Sequence, residues 1–470
     1  MSDDASLEDI FAVPAMGGGA PKEGFPEKEM FSDVAYQLVH DELMLDGVSR
    51  MNLATFCTTW IDDKARRLMA ETVDKNIVDK DEYPQTAALE QRCVRMLADL
   101  WHAPDPASTR GTSTTGSSEA AMLGGLAAKF RWRARGGTGT PNFVCGPVQV
   151  CWEKFARYFD VEIRQIPLSG DRLTMDPDQV AAYCDENTIM VVPTFGQTFT
   201  GLFEDVAGVS AALDELQRRT GLDIPIHVDA ASGGFLAPFT APDLAWDFRL
   251  PRVKSINASG HKTGHAPLGA GWAIWREAAD LPEELVFNVN YLGGDMATFN
   301  LNFSRPGSQA ITSYYEFIRL GRIGYTRLQT AIYSVARHLA QGIAQAGPFE
   351  VIHDGDPQRG ITAVSWGLAG GQDFSLYDLS DRLRARGWLV AAYPLPDDRG
   401  DETIMRAVLR HGFTHDMADL FLADVDRGLQ HLAAHRPKTP LTSEDGGGFT
   451  HNATAAVPLP GAGSQGKAPF

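Results

Sequence analysis

Residues 255–271, which read S-I-N-A-S-G-H-K-T-G-H-A-P-L-G-A-G, are the stretch that decides the fold. A short run with strand character, residues 253–258, leads into a loop that carries Lys262 among serine, threonine and glycine. Small neighbours leave room beside an amine, and loops at strand ends are where α/β proteins place their chemistry. We therefore expect Lys262 to be functional, with a solvated loop lysine as the ordinary alternative.

An aspartate at the end of an earlier strand supplies a partner for this lysine. Residues 224–229, I-P-I-H-V-D, predict a buried strand ending at Asp229, and A-A-S-G-G follows. Asp229 precedes Lys262 by 33 positions, about one crossover between parallel strands, so both side chains can face one cleft. Enzymes that use pyridoxal 5′-phosphate (PLP) require a lysine for the cofactor's aldehyde and an aspartate for its ring nitrogen. Taken alone, Asp229 is also compatible with a helix cap.

A third segment favours the cofactor interpretation. Residues 111–119, G-T-S-T-T-G-S-S-E, lead directly into the helix-like apolar run 120–130. Glycine and hydroxyl residues at a helix start offer backbone N–H groups and side-chain donors to an anion. A lone S-S-E would be interpreted as a cap at Ser117 or Ser118. Because the Asp229 and Lys262 segments follow in order, a phosphate site is the better interpretation.

Longer motifs give the chain a family resemblance. The segments G-S-S-E-A (116–120), H-V-D-A-A-S-G-G-F (227–235) and S-G-H-K (259–262) resemble the group II PLP-dependent decarboxylases. More narrowly, the chain is similar to bacterial and plant glutamate decarboxylases in N-L-A-T-F (52–56), K-N-I-V-D-K-D-E-Y-P (75–84), W-H-A-P (101–104), V-C-G-P-V-Q-V-C-W-E-K-F (144–155) and P-T-F-G-Q-T-F-T-G (193–201). The similarity runs from about residue 33 to about residue 435. Thr263 and His265 depart from the family, which usually has an aromatic and an aliphatic residue there, and the C-terminal tail is longer.

The resemblance implies the cofactor contacts by position. Lys262 corresponds to the lysine that holds PLP covalently, and Asp229 to the aspartate that pairs with its ring nitrogen. The implied phosphate ligands are Ser117, Ser118, Ser259 and His261. Gln149 and Ala231 correspond to residues on the two faces of the cofactor ring, and Thr198 corresponds to a hydroxyl near its 3′-oxygen. For His261, an ordinary loop histidine is the alternative.

The resemblance also implies a substrate pocket, part of it from a neighbouring subunit. The positions that correspond to the distal-carboxylate pocket are Thr55, Phe56, Asn76 and Asp79. Hydroxyl and amide groups suit a carboxylate, whereas Asp79 would repel one unless it is protonated or hydrogen-bonded. Arg406 corresponds to the arginine near the α-carboxylate. A strand salt bridge is the alternative role for Arg406, and Arg410 is the competing arginine.

Composition limits the partners and the compartment. With 470 residues, 44% hydrophobic and 22% charged, the chain has the composition of a soluble globular protein. A net charge of −18 disfavours nucleic acid and anionic membrane. No apolar run approaches the roughly twenty residues of a membrane span, and no signal peptide opens the chain. The five cysteines, odd in number and scattered, suit reduced thiols, so we expect a cytoplasmic protein without a bound metal.

Strand-like and helix-like segments alternate from residue 86 to residue 275, which predicts an α/β fold with a mainly parallel sheet. Before that region, residues 31–46 and 64–78 predict helices, and residues 7–13 a short helix that could lie on a partner subunit. The resemblance specifies fold type I of the PLP-dependent transferases, like aspartate aminotransferase, with a small C-terminal α+β domain. A long helix over 308–346, bent near Gly321 or Gly324, leads into that domain. We expect an N-terminal segment (1–50), a PLP-binding domain (51–332), a small domain (333–440) and a flexible tail (441–470).

The implied reaction is decarboxylation of L-glutamate to 4-aminobutanoate and CO2, with consumption of a proton, by a homodimer or a higher homo-oligomer such as a hexamer. The alternatives are a decarboxylase of another amino acid (aspartate or aromatic) and an inactive binding protein with the PLP fold. In the tail, His451 stands in an F-x-H element that in some bacterial relatives closes the active site as pH rises. A tail without a role is the alternative there.

Overall fold

The computed structural model describes residues 23–289 and 296–444. The chain falls into two compact units, one ending at Asn52 and the other beginning at Leu53. The first unit contains the helix Ser32–Leu43, where the sequence predicts a helix over 31–46. A short helix expected at 7–13 and the regulatory His451 both lie outside the described residues.

The second unit is built on a seven-stranded sheet. Its strands are β1 (Arg110–Thr114), β2 (Asn142–Cys145), β3 (Glu162–Gln165), β4 (Thr188–Val192), β5 (Ile226–Asp229), β6 (Val253–Ser259) and β7 (Gly271–Trp275). They lie in the order β1-β7-β6-β5-β4-β2-β3. The strands from β3 to β6 in this order pair in parallel, whereas β7 is antiparallel to both β6 and β1. The predicted α/β fold with a mainly parallel sheet is confirmed.

The sheet is buried between helices. All five residues of β4, T-I-M-V-V, are buried, which is the near-continuous apolar run expected of a parallel strand covered on both faces. The helices of the second unit up to the sheet's last strand are Asp63–Glu71, Pro84–Leu100, Ser117–Ala134, Val150–Tyr158, Val180–Tyr183, Val206–Thr220 and Ala237–Thr240. Because β5 and β6 are parallel neighbours, Asp229 and the Lys262 loop lie at the same edge of the sheet.

The long helix Ser308–Ala346 connects the sheet to a smaller C-terminal part and is interrupted at Gly321, where φ is +56°. The expected bend therefore occurs at one of the two predicted glycines. The remaining strands are β8 (Phe287–Val289), β9 (Met296–Thr298), β10 (Phe349–His353), β11 (Ala363–Leu368), β12 (Ala391–Pro394) and β13 (Thr403–Val408). The C-terminal part is an antiparallel sheet of order β10-β11-β13-β12 with two helices, Leu376–Arg384, which packs on β12 and β13, and His415–Ala434, which packs on the other helices.

The structure differs from the sequence-based element predictions in the extent of one helix and in one strand that was not predicted. The helix predicted over 64–78 ends at Glu71. The Thr72 hydroxyl donates to the Leu68 carbonyl oxygen. The chain beyond Thr72 leaves the helix, and Asn76 pairs with Pro306 in an isolated β-bridge. Strand β1 occupies a stretch for which the sequence predicts only a glycine-rich approach to a helix. Within the described ranges, no helix is long and apolar enough to cross a membrane, and no group of three metal-ligating side chains occurs.

Candidate active site

Lys262 lies in the loop after β6, three positions beyond Ser259. Its Nζ donates a hydrogen bond to Ser232 Oγ at 3.1 Å and lies 4.9 Å from the centre of the Phe56 ring. Burial lowers the pKa of Lys262, the Arg406 charge acts in the same direction, and Asp229 opposes it. A lower pKa increases the neutral fraction of the amine, which is the form that attacks an aldehyde.

Asp229 ends β5 and is 3% exposed. Its Oδ1 accepts hydrogen bonds from Asn257 Nδ2 at 2.9 Å and from the Ala231 backbone N–H at 3.1 Å. Its Oδ2 accepts one from Trp152 Nε1 at 2.8 Å. All three partners are donors, so the geometry suits an ionised carboxylate, which accepts only. Such a group is the natural partner of a protonated ring nitrogen.

An anion cradle lies at the start of the helix Ser117–Ala134. The Ser259 hydroxyl donates to Ser117 Oγ at 2.7 Å, and Ser118 is the next helical residue. His261 Nδ1 is buried and has no hydrogen-bond partner among the residues that the structure describes. Burial lowers the pKa of His261 to about 4, so its ring is neutral near pH 7. At Gly116, φ is +101° and an added Cβ would lie 3.2 Å from His261 Cε1, so the close approach favours glycine.

Two further predicted cofactor residues occupy loops at this sheet edge. Gln149 follows β2 and caps the helix Val150–Tyr158, with its Oε1 accepting from the Cys151 N–H at 2.7 Å. Thr198 follows β4 in a loop that the buried Glu204 anchors through Gln197 Nε2 at 3.1 Å. Their contacts with the cofactor stay predictions.

The segment 54–58 and the C-terminal sheet form a wall beside the lysine. The Arg406 guanidinium lies 4.3 Å from the Phe56 ring centre and donates to the Ala54 carbonyl at 2.9 Å. Its buried Nε has no partner, and in the described part of the chain Arg406 forms no ion pair, against the salt-bridge alternative. Thr55 Oγ1 accepts from the Cys57 N–H at 3.3 Å. Arg410 donates to the Cys57 carbonyl at 3.0 Å and so supports this segment.

Asn76 and Asp79 are placed elsewhere in the chain. Asn76 Nδ2 donates to Ser304 Oγ at 3.3 Å, and Asn76 Oδ1 accepts from the Arg305 N–H at 3.1 Å. Asp79 Oδ1 accepts from the Glu82 N–H at 3.1 Å within its own turn. Among the described residues, none of these bonds links either side chain to the Lys262 loop. The contribution of Asn76 and Asp79 to a pocket completed by a second subunit stays a prediction.

The long helix braces the lysine loop from behind. The Tyr325 hydroxyl donates to the Gly264 carbonyl at 2.9 Å, and Gln329 Nε2 donates to the Thr263 carbonyl at 2.8 Å. The loop is therefore fixed through main-chain oxygens of the two residues that follow Lys262.

Sequence reasoning missed three residues of this site: Trp152, Ser232 and Asn257. Asn257 pairs directly with Asp229 across β5 and β6, so its side chain lies beside the carboxylate. Trp152 lies three positions after Gln149, inside a motif already singled out. A prediction of the strand register would have found Asn257, because registered positions of parallel strands share a face.

The group of residues fits PLP. The cradle offers hydroxyls, helix N–H groups and an unpaired neutral imidazole nitrogen for a phosphate, and Asp229 and Lys262 supply the two reactive partners. A model of the pyridoxal-dependent decarboxylase conserved domain matches residues 26–368. The chain therefore belongs to the pyridoxal-dependent decarboxylase family.

Individual relatives narrow the class. The chain is 57% identical over 455 residues to a glutamate decarboxylase of Aliivibrio fischeri, covering 95% of this chain and 98% of the relative. It is 46% identical to a glutamate decarboxylase of Solanum lycopersicum, covering 93% and 88%. The solved glutamate decarboxylase of Lactobacillus brevis superposes with a TM-score of 0.87 at 44% identity, covering 91% of this chain and 99% of that one. These relatives place the chain among the glutamate decarboxylases.

Proposed function

We propose that this protein decarboxylates L-glutamate to 4-aminobutanoate and CO2, with PLP as cofactor and with consumption of one proton. The observation that carries the proposal is the meeting of the Lys262 amine, the Asp229 carboxylate and the Ser117 cradle at one sheet edge, beside Arg406. The names of the relatives specify glutamate.

The chain's own residues divide the work. Bound PLP supplies the electron sink for the pair left on Cα when CO2 departs. Lys262 would hold the cofactor covalently, and Asp229 would keep a proton at its ring nitrogen. Ser117, Ser118, Ser259 and His261 would hold its phosphate, Gln149 and Ala231 would lie on its two ring faces, and the Thr198 hydroxyl would lie near its 3′-oxygen. The Phe56 ring and the 54–58 segment cover the amine and restrict the entry of water.

Substrate orientation rests on charge and hydrogen bonding. Among the described residues, the buried Nε of Arg406 has no hydrogen-bond partner, which suits the α-carboxylate region. For the distal carboxylate we propose Thr55 and Phe56 from one subunit with Asn76 and Asp79 from the other. The active form is then at least a homodimer, and a hexamer is the higher assembly that we consider. Five free thiols, together with the acidic charge, support a cytoplasmic location.

The proposal also includes the domain boundary and the regulatory role of the C-terminal tail. The boundary between the PLP-binding domain (51–332) and the small domain (333–440) would fall within the helix Ser308–Ala346. His451 would gate the site from the tail, and identical pH profiles for the full-length enzyme and a variant lacking 443–470 would exclude this gating.

A CO2-release assay tests the function. Purified protein with PLP is given glutamate, aspartate and aromatic amino acids in turn across pH 4–8. Release from glutamate alone supports the proposal, whereas preference for aspartate or an aromatic acid selects the alternative decarboxylases. Cofactor binding without CO2 release from any of these amino acids indicates a binding protein.

A further inference from the structure

We propose that Trp152, Asn257 and His227 are positioning residues that fix the Asp229 carboxylate and leave one acceptor site on Oδ2 for the cofactor's ring nitrogen. The inference rests on the proposed function. Trp152 and Asn257 are 0% exposed and His227 is 2% exposed, so water does not compete for these hydrogen bonds.

The hydrogen bonds have a determined direction. Asn257 Nδ2 lies 2.9 Å from Asp229 Oδ1, and because a carboxylate only accepts, the amide must turn its NH2 toward Asp229. Asn257 Oδ1 then faces His227 Nε2 at 2.8 Å, so Nε2 must carry the hydrogen. The lone pair of His227 Nδ1 accepts from Ser255 Oγ at 2.7 Å. Burial lowers the pKa of His227 to about 4, in keeping with this single neutral tautomer.

The acceptor sites of Asp229 can be counted. A carboxylate has about four lone-pair sites. Oδ1 receives the Asn257 and Ala231 donors, and Oδ2 receives Trp152. One site remains, on Oδ2. The Trp152 indole, whose N–H occupies the other site on Oδ2, packs between two rings: its centroid lies 5.2 Å from that of His227 and 5.5 Å from that of Phe143.

The same network connects the carboxylate to the anion cradle. Gly124, in the helix Ser117–Ala134, packs against the His227 imidazole, and a Cβ added there would lie 2.3 Å from Cε1. This helix thus touches His227 with its middle and presents the cradle at its start. The phosphate site and the ring-nitrogen site are therefore set by one packed unit, which fixes the two ends of the cofactor relative to each other.

The decisive variant is Asn257→Asp, which keeps the shape of the side chain but replaces the NH2 donor by an acceptor. Two facing carboxyl groups must then share a proton, and Asp229 loses its fixed orientation. We expect the apoprotein to bind PLP at least about tenfold more weakly in equilibrium dialysis. The pH midpoint of the bound cofactor's visible absorbance should move by about one pH unit or more.

A matched control is available in the same sheet. Asn142 is also fully buried, donates to Asp185 Oδ1 at 2.8 Å and accepts from Thr188 Oγ1 at 2.8 Å, and its strand β2 is separated from β5 by β4. Asn142→Asp should lower the free energy of unfolding of the apoprotein without changing PLP affinity or the absorbance midpoint. If Asn142→Asp changes both cofactor readouts as much as Asn257→Asp, the effect is general destabilisation and the inference is overturned.

Trp152→Phe provides an independent variant if Asn257→Asp does not fold. It removes the indole donor to Oδ2 and keeps an aromatic ring, so PLP affinity should fall by about three- to tenfold and the absorbance midpoint should move. PLP affinity within twofold of the parent together with an unmoved midpoint refutes the inference. If these substitutions change PLP affinity and the absorbance midpoint as expected but the parent protein releases no CO2, the proposed function is contradicted and the positioning role is not.

Discussion

Replacing Asp229 by asparagine tests the site at its most constrained point. An amide offers one acceptor and one NH2, but both carboxylate oxygens face donors that cannot turn. The Ala231 backbone N–H lies 3.1 Å from Oδ1 and the Trp152 indole N–H lies 2.8 Å from Oδ2. Either orientation of the introduced amide therefore places its NH2 against a donor. The loss of one hydrogen bond to a charged acceptor is worth about 1.5–3 kcal/mol, so we expect the free energy of unfolding of the apoprotein to fall by about 2 kcal/mol.

Urea unfolding of the apoproteins at pH 7 measures this loss, and CO2 release measures the effect on catalysis. Turnover should fall by orders of magnitude, because a neutral amide cannot hold the proton at the cofactor nitrogen. Asp205→Asn is the control: Asp205 Oδ1 accepts from the Gly208 N–H at 2.9 Å, and asparagine caps helices equally well. The reasoning is refuted if Asp229→Asn unfolds within about 0.5 kcal/mol of the parent and loses less than tenfold, or about 1.4 kcal/mol, in turnover.

Three other outcomes are expected. Lys262→Ala should abolish turnover and the visible absorbance of covalently held cofactor while circular dichroism stays unchanged; full residual activity would contradict its role. Lys262→Ala chains mixed with Asn76→Ala or Asp79→Ala chains should regain partial activity through hybrid dimers, and no recovery despite proven subunit exchange would place the pocket within one chain. Burial lowers the pKa of His265 to about 3. Below about pH 6.5 the unfolded chain therefore binds a proton at this residue while the folded chain does not, and the free energy of unfolding falls as the pH is lowered. His265→Asn, which tolerates the φ of +62°, should therefore recover about 2 kcal/mol of stability at pH 5 relative to pH 7, as measured by urea unfolding; an unchanged pH dependence would exclude this.

The sequence was sufficient to predict which main segments meet in the candidate site. Asp229 and Lys262 end or follow parallel neighbouring strands, so their meeting follows from one crossover and a common sheet edge. The Ser117 cradle was visible as hydroxyl residues before an apolar helix. These features are local or depend on a single topological rule.

The parts that sequence reasoning missed depend on register and on distant packing. Asn257 is internal to a strand, and only its pairing with Asp229 gives it a role. Strand β1 lies at the sheet edge beside β7, from which about 160 positions separate it along the chain. The contact of Asn76 with Ser304 was likewise not foreseen, because 228 positions separate the two residues along the chain.

The brace from the long helix has a consequence for how freely this loop can change during evolution. Tyr325 and Gln329 bind the carbonyl oxygens of Gly264 and Thr263, and a carbonyl oxygen is present whatever side chain a residue carries. A substitution at Thr263 therefore keeps the bond to Gln329, whereas Gly264 is not free to change, because a Cβ added there would lie 2.7 Å from the Gly260 carbonyl oxygen.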